Sequence, residues 1–275
     1  MAISETVLEM HYHKPLMDLI RNTYGVGPNG KFNFFKYSPQ REVFLGFDQA
    51  YAMTEISDQD FFDQLKDSAM KNGYKLKQTF VAYFLQFKVV SELHKKQKKN
   101  PPQITSKPYY RANLDTTKND NTGFSQHELL YKLSQNNGAM VYYACPMLFD
   151  KSVLYEVNVS LESLRLVDFS SCPSDFSDNS KHYIYFDQMQ GDPIWCSEPV
   201  LGEAITAKEF ASLVVTRLRQ GSSEEMAAQV MGLLNTIKNE FTKHLEQKPY
   251  QEPPGDGLEL FANALTIVRF DEVVN

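Results

Sequence analysis

The chain has 275 residues, 42% hydrophobic and 23% charged, with 19 Phe and 15 Tyr. This excludes a disordered polymer and leaves room for one large domain or a domain with an extension. A formal net charge of −6 excludes a uniformly basic chain, so any contact with phosphates must come from local patches.

In chain order, Ser4 can cap a helix over 4–24, with Val7, Leu8, Leu16, Leu19 and Ile20 as apolar positions. Pro15 is expected to break that helix in two. GVGPNG (25–30) reads as a loop and KFNFF (31–35) as a short strand. Ser38 and Pro39 can open one helical turn, after which GFDQAYAM reads as a strand. A helix follows over 57–72, with Ser57 and Asp60 spaced as a capping box and Gly73 as its stop.

Thr79–Ser91, TFVAYFLQFKVVS, is the strongest strand and the one around which the chain is organised. Alternation puts Gln86 and Lys88 on the same face of an otherwise apolar run. Neither group is buried cheaply without partners, so the pair faces a polar site or solvent. Asp48 supplies a carboxylate in a similarly apolar stretch, Glu42–Ala52. An acid on one strand and a polar-x-Lys pair on a neighbour can hold a divalent cation with a lysine beside it.

A lysine-rich loop (95–103) and a strand over 108–114 come next. Ser125 and Glu128 then form a capping box, Phe124 can staple onto Leu129, and Gly138 ends the helix. AMVYYACPM (139–147) is a buried strand, and HYIYF (182–186) a shorter one. Thr206 and Glu209 cap another helix, and Ser222 and Glu225 open a long one. The tail LELFANALTIVRF fits helix or strand.

The fold class expected is α/β, a mixed central sheet flanked by helices over 1–200, with a helical C-terminal extension over 201–275 packed on it. Three widely spaced cysteines give neither a disulfide framework nor a zinc signature. No signal peptide or membrane-spanning run is visible, so the expectation is a cytoplasmic protein without membrane contact.

The order Glu42, Asp48, Gln86-x-Lys88, then helix and strand, resembles the PD-(D/E)XK nuclease superfamily over about 35–150. The resemblance implies a restriction-endonuclease-like core and a Mg²⁺- or Mn²⁺-dependent endonuclease acting on DNA, with RNA as a second substrate and anti-phage defence as a setting. It assigns the metal to Asp48, Gln86 and the Phe87 carbonyl. Lys88 would handle the attacking water or the transition-state charge, and Glu42 would be an extra carboxylate. The chain departs from the family pattern in three places, one of them the long gap between Asp48 and Gln86, which holds the helix read over 57–72. Gly46–Phe47 stands where a proline and an acid are written, and Gln86 replaces an acid. Those departures leave open a catalytically inactive module that binds nucleic acid or a partner protein, and homo-oligomerisation is also left open.

Plainer readings stand beside each assignment. Gln86 and Lys88 also fit an exposed sheet face, snorkelling or pairing with a helix carboxylate. Asp48 fits a turn, and Glu42 fits a helix first turn. Lys95, Lys96, Arg111 and His127 are candidate phosphate contacts, against a solvated loop for the lysines and simple packing for His127. Cys145 is expected to be buried and inert.

Overall fold

Two sheets are built by one chain that changes sheet at Lys88–Val89. The computed structural model describes residues 3–25, 30–36, 76–97, 100–118, 125–135, 139–155, 159–176, 181–196, 199–220 and 265–273. Helix α1 spans Glu5–Tyr24. The strands are β1 (Gly30–Lys36), β2 (Leu76–Phe87), β3 (Val90–Leu93), β4 (Tyr109–Asn113), β5 (Met140–Pro146), β6 (Leu164–Asp168) and β7 (Tyr183–Phe186). They continue with β8 (Pro193–Cys196), β9 (Val200–Leu201), β10 (Ala204–Thr206) and β11 (Leu265–Val273). Helices α2 (Gln126–Ser134) and α3 (Ala207–Gln220) complete the set.

The larger sheet has six strands in the order β1-β11-β2-β5-β6-β10 and is mixed: β2 runs parallel to β5, and its other pairings are antiparallel. The smaller sheet is antiparallel, β3-β4-β7-β8-β9. The fold is therefore α/β with a mixed sheet, an antiparallel sheet and helices. Within the C-terminal tail Leu265–Val273 is strand, and this β11 inserts between β1 and β2. The main sheet thus runs across the boundary drawn at residue 200.

Local signals explain most elements. Ser4 accepts from the Val7 N–H at 3.3 Å, and Gly25 closes α1 in the left-handed region at φ 69°. Pro15 does not break α1 as expected. It removes one helical hydrogen bond, but Tyr12, His13, Leu16, Met17 and Ile20 are buried on both sides of it, and this packing holds the helix continuous. Ser125 caps α2 by accepting from the Glu128 N–H at 3.1 Å. Thr206 and Glu209 make a reciprocal box at the start of α3: the Thr206 N–H donates to Glu209 at 2.7 Å, and the Glu209 N–H donates to Thr206 at 3.2 Å.

Helix α3 packs beside α1 and lays Phe210 edge-on against Tyr83 of β2 and Tyr142 of β5, with ring centroids 5.1 and 5.5 Å apart. Burying Phe210 contributes about 2–3 kcal/mol. The core extends from these rings through β5 and β6 to Trp195 of β8, which is fully buried. Gly202 is required there, because a Cβ at that position would lie 2.4 Å from the Trp195 indole nitrogen. A second, small apolar cluster of Ile104, Tyr109, Tyr185 and Ile194 serves the antiparallel sheet. No helix among the described residues is long and apolar enough to cross a membrane. The expected helical turn at 38–44, the strand after it, and the helices over 57–72 and from 222 lie outside the described residues.

Candidate functional site

Gln86 and Lys88 leave the carboxyl end of β2, beside its parallel neighbour β5. The Lys88 backbone N–H extends that ladder by donating to the Ala144 carbonyl at 2.9 Å. In parallel sheets the carboxyl ends of the strands are where ligand crevices form. Tyr143 stands opposite Gln86 in the register, and its ring lies under the Lys88 ammonium at 5.5 Å.

Two further side chains close a ring of hydrogen bonds here. Lys88 Nζ donates to both Glu5 oxygens, at 3.1 and 3.4 Å, and to Gln126 Oε1 at 3.0 Å. Gln126 Nε2 donates to Gln86 Oε1 at 2.9 Å, and Gln86 Nε2 donates to Glu5 Oε2 at 3.1 Å. Lys88 accepts nothing, so its contact fixes Gln126 with the carbonyl towards the ammonium and the amide towards Gln86. The ring closes on itself and is neutral, one carboxylate against one ammonium. The Lys88 side chain is 2% exposed and that of Glu5 40%. The sheet-face alternative for Lys88 is therefore half right: it pairs with a helix carboxylate, but it is buried rather than exposed.

Placement of the other candidates is mixed. Asp48 and Glu42 lie outside the described residues. The Phe87 carbonyl accepts from Gln86 Nε2 at 3.3 Å. Lys95 and Lys96 are exposed beyond β3, and Lys96 Nζ donates to the Ile104 carbonyl at 2.7 Å. Arg111 on β4 sits over the Tyr183 ring at 4.5 Å, while Tyr109 and Tyr110 are buried.

His127 is a correction. It is fully buried, and both ring nitrogens are engaged, so no phosphate reaches it. Its Nδ1 is 2.9 Å from the Tyr143 hydroxyl and its Nε2 is 3.3 Å from the Ser174 carbonyl. A carbonyl only accepts, so Nε2 carries the proton and Nδ1 accepts from Tyr143. Phe169, Phe176 and Trp195 enclose the ring. Burial pulls the imidazole down to about 4, with smaller pushes in the same direction from His182 and Lys88.

Cys172 Sγ lies 3.6 Å from His127 Nε2 and donates to the Ser174 carbonyl at 3.2 Å. Burial pushes this thiol up to about 12. A neutral thiol beside a neutral imidazole is not an activated nucleophile. Cys145 is buried, and its thiol is likewise pushed up to about 12 by desolvation, which leaves it unreactive.

Oxygens at the Lys88 corner are of the kind Mg²⁺ takes: the Glu5 carboxylate, Gln86 Oε1 and the Phe87 carbonyl. Each already accepts from an N–H, and the single carboxylate is neutralised by Lys88. Among the described residues no three His, Cys, Asp or Glu converge as a metal-holding group. A divalent ion fits this corner only with another carboxylate, the role that sequence reading assigns to Asp48.

Glu5 and Gln126 were not singled out by sequence. Glu5 stands one residue after a capping serine and reads as an ordinary first-turn acid. Gln126 is masked by His127, the neighbour with the more conspicuous chemistry. Comparison with family models, curated proteins and solved structures gives no match. The superfamily resemblance rests on the residues alone.

Proposed function

We propose that the chain is a phosphodiester hydrolase acting on nucleic acid, with DNA as the first substrate, built on a restriction-endonuclease-like core. One observation carries the reading. A lysine is buried with Gln86, Gln126 and a carboxylate at the carboxyl end of a parallel strand pair. Burying an ammonium costs several kcal/mol even when it is paired, and an apolar side chain of similar length would fill the same space without that cost. Stability alone gives no reason for a lysine at this position.

In this reading Lys88 and the Gln86 amide bind non-bridging phosphate oxygens and stabilise the charge that develops on them. Gln126 keeps the ammonium aimed. Mg²⁺ or Mn²⁺, held through Asp48 with Gln86 and the Phe87 carbonyl, would supply Lewis-acid chemistry when bound.

The test is cleavage of single- and double-stranded DNA, and of RNA, by the full chain with Mg²⁺ or Mn²⁺. Asp48→Ala and Lys88→Met should each lower the rate at least ~100-fold, as expected for groups that act on transition-state charge. Cleavage that survives both substitutions sinks the assignment.

A second reading is favoured by the neutral Gln86 and the neutralised Glu5: a non-catalytic module on the same fold that binds nucleic acid or a partner protein. Thermal shift with Mg²⁺ or Mn²⁺ separates the two. A rise in melting temperature that vanishes in Asp48→Ala supports the hydrolase, and no rise supports the module.

A further inference from the structure

We propose that Glu5 is an internal competitor for the anion subsite formed by Lys88 and Gln86, and that a phosphodiester of the nucleic-acid substrate must displace it. The inference rests on the reading of this corner as a phosphate-binding site and adds how that site is kept shut.

Three features carry it. First, the donors around Glu5 are arranged as they would be around a phosphodiester. The ammonium meets both carboxylate oxygens, at 3.1 and 3.4 Å, and the Gln86 amide meets one of them at 3.1 Å. A carboxylate and a phosphodiester each present one negative charge spread over two oxygens, so the same donors suit either. Second, the ammonium is already engaged on both sides, by the Glu5 carboxylate and by Gln126 Oε1. With Lys88 only 2% exposed, no outside anion reaches it while Glu5 is in place. Third, Glu5 is the accessible member of the pair, at 40% exposure. It sits in the first turn of α1, where exposed Ser4 supplies a side-chain cap at 3.3 Å. Swinging one first-turn side chain into water disturbs little else.

Charge makes the two occupants mutually exclusive. With Glu5 the ring is neutral. A phosphodiester added to it would leave an uncompensated negative charge beside buried Tyr143, whereas a phosphodiester in place of Glu5 restores neutrality.

The experiment is fluorescence anisotropy of a labelled single-stranded oligonucleotide with the full chain in EDTA, where no cleavage intervenes. Glu5→Ala and the near-isosteric Glu5→Gln should each bind at least ~10-fold tighter than the parent. Lys88→Met should bind weakly, and adding it to Glu5→Ala should abolish the gain, which distinguishes an unblocked subsite from a general change in net charge. The isosteric variant keeps the test open if the alanine variant does not fold. Equal or weaker binding by the folded Glu5 variants overturns the proposal, as does a gain that persists in Glu5→Ala/Lys88→Met. Its failure is separable from that of the hydrolase reading. Tighter binding without cleavage by any form removes the hydrolase alone, and cleavage by the parent without a gain in the Glu5 variants removes the competitor alone.

Discussion

Gln126 and His127 are consecutive residues in the first turn of α2, yet they enter two unlike polar clusters. Gln126 joins a ring containing full charges and bordering solvent through Glu5. His127 joins Tyr143, Cys172 and Ser174 in a neutral group closed off by Phe169, Phe176 and Trp195. Tyr143 belongs to both, its face under Lys88 and its hydroxyl on His127. The contrast separates a fixing point from a candidate site. A neutral cluster with every hydrogen bond made is an inexpensive way to anchor the 169–176 segment to α2 and β5. A buried ammonium is a costly way to do the same, which points to a use other than anchoring.

Acid should break the neutral cluster first, and this is the largest effect expected. Burial brings both His127 and His13 down to about 4, against an ordinary value of 6.5. On lowering the pH, the unfolded chain takes up protons before the folded one does. The stability these neutral imidazoles contribute is therefore fully present above pH 6.5 and lost as the pH falls towards 4. The loss is on the order of 3 kcal/mol for each histidine. Urea unfolding between pH 7 and 4 should show a midpoint that holds steady at first and then drops. A midpoint unchanged down to pH 4.5 would refute the buried-neutral description.

Removing the imidazole isolates the share of the cluster. His127→Ala takes away the acceptor of the Tyr143 hydroxyl and a donor to the Ser174 carbonyl, and leaves a hole among three aromatic rings. About 3–4 kcal/mol should be lost at pH 7. The acid-induced drop should also shrink by roughly half, because only His13 would still titrate in that window. A full-sized drop in the variant would place the pH dependence elsewhere.

What the sequence made legible was set by how local the deciding physics is. Ser125 with Glu128, and Thr206 with Glu209, act over three residues: the second box closes in both directions as read, whereas the first forms only its Ser125 half, the Glu128 carboxylate facing Lys132 instead. β2 and β5 declare themselves through apolar length, and the pairing of Gln86 with Lys88 on one polar feature follows from alternation within a single strand. Glu5 meets Lys88 across 83 positions of chain, and nothing in either neighbourhood announces it. β11 reaches β2 from the far end of the chain, and its segment alone fits helix or strand equally well. Pro15 misled because a local penalty was weighed without the tertiary packing that outweighs it.

The charged corner should show the opposite response, a small change in stability with a large change in chemistry. Lys88→Met keeps the length of the side chain and its packing over Tyr143 while removing the ammonium. Deleting one partner of a buried ion pair usually costs several kcal/mol, because the remaining charge is stranded. Here the remaining charge is Glu5, already 40% exposed, which can turn to water. Gln126 Oε1 loses a donor, at a cost of about 1 kcal/mol, and relief from burying the ammonium offsets it. The net change in unfolding free energy should therefore lie within about 1 kcal/mol of zero. Chemical denaturation at pH 7 measures it. A loss as large as that of His127→Ala would mean that the lysine holds the fold together, and the two clusters would then differ only in charge and not in purpose.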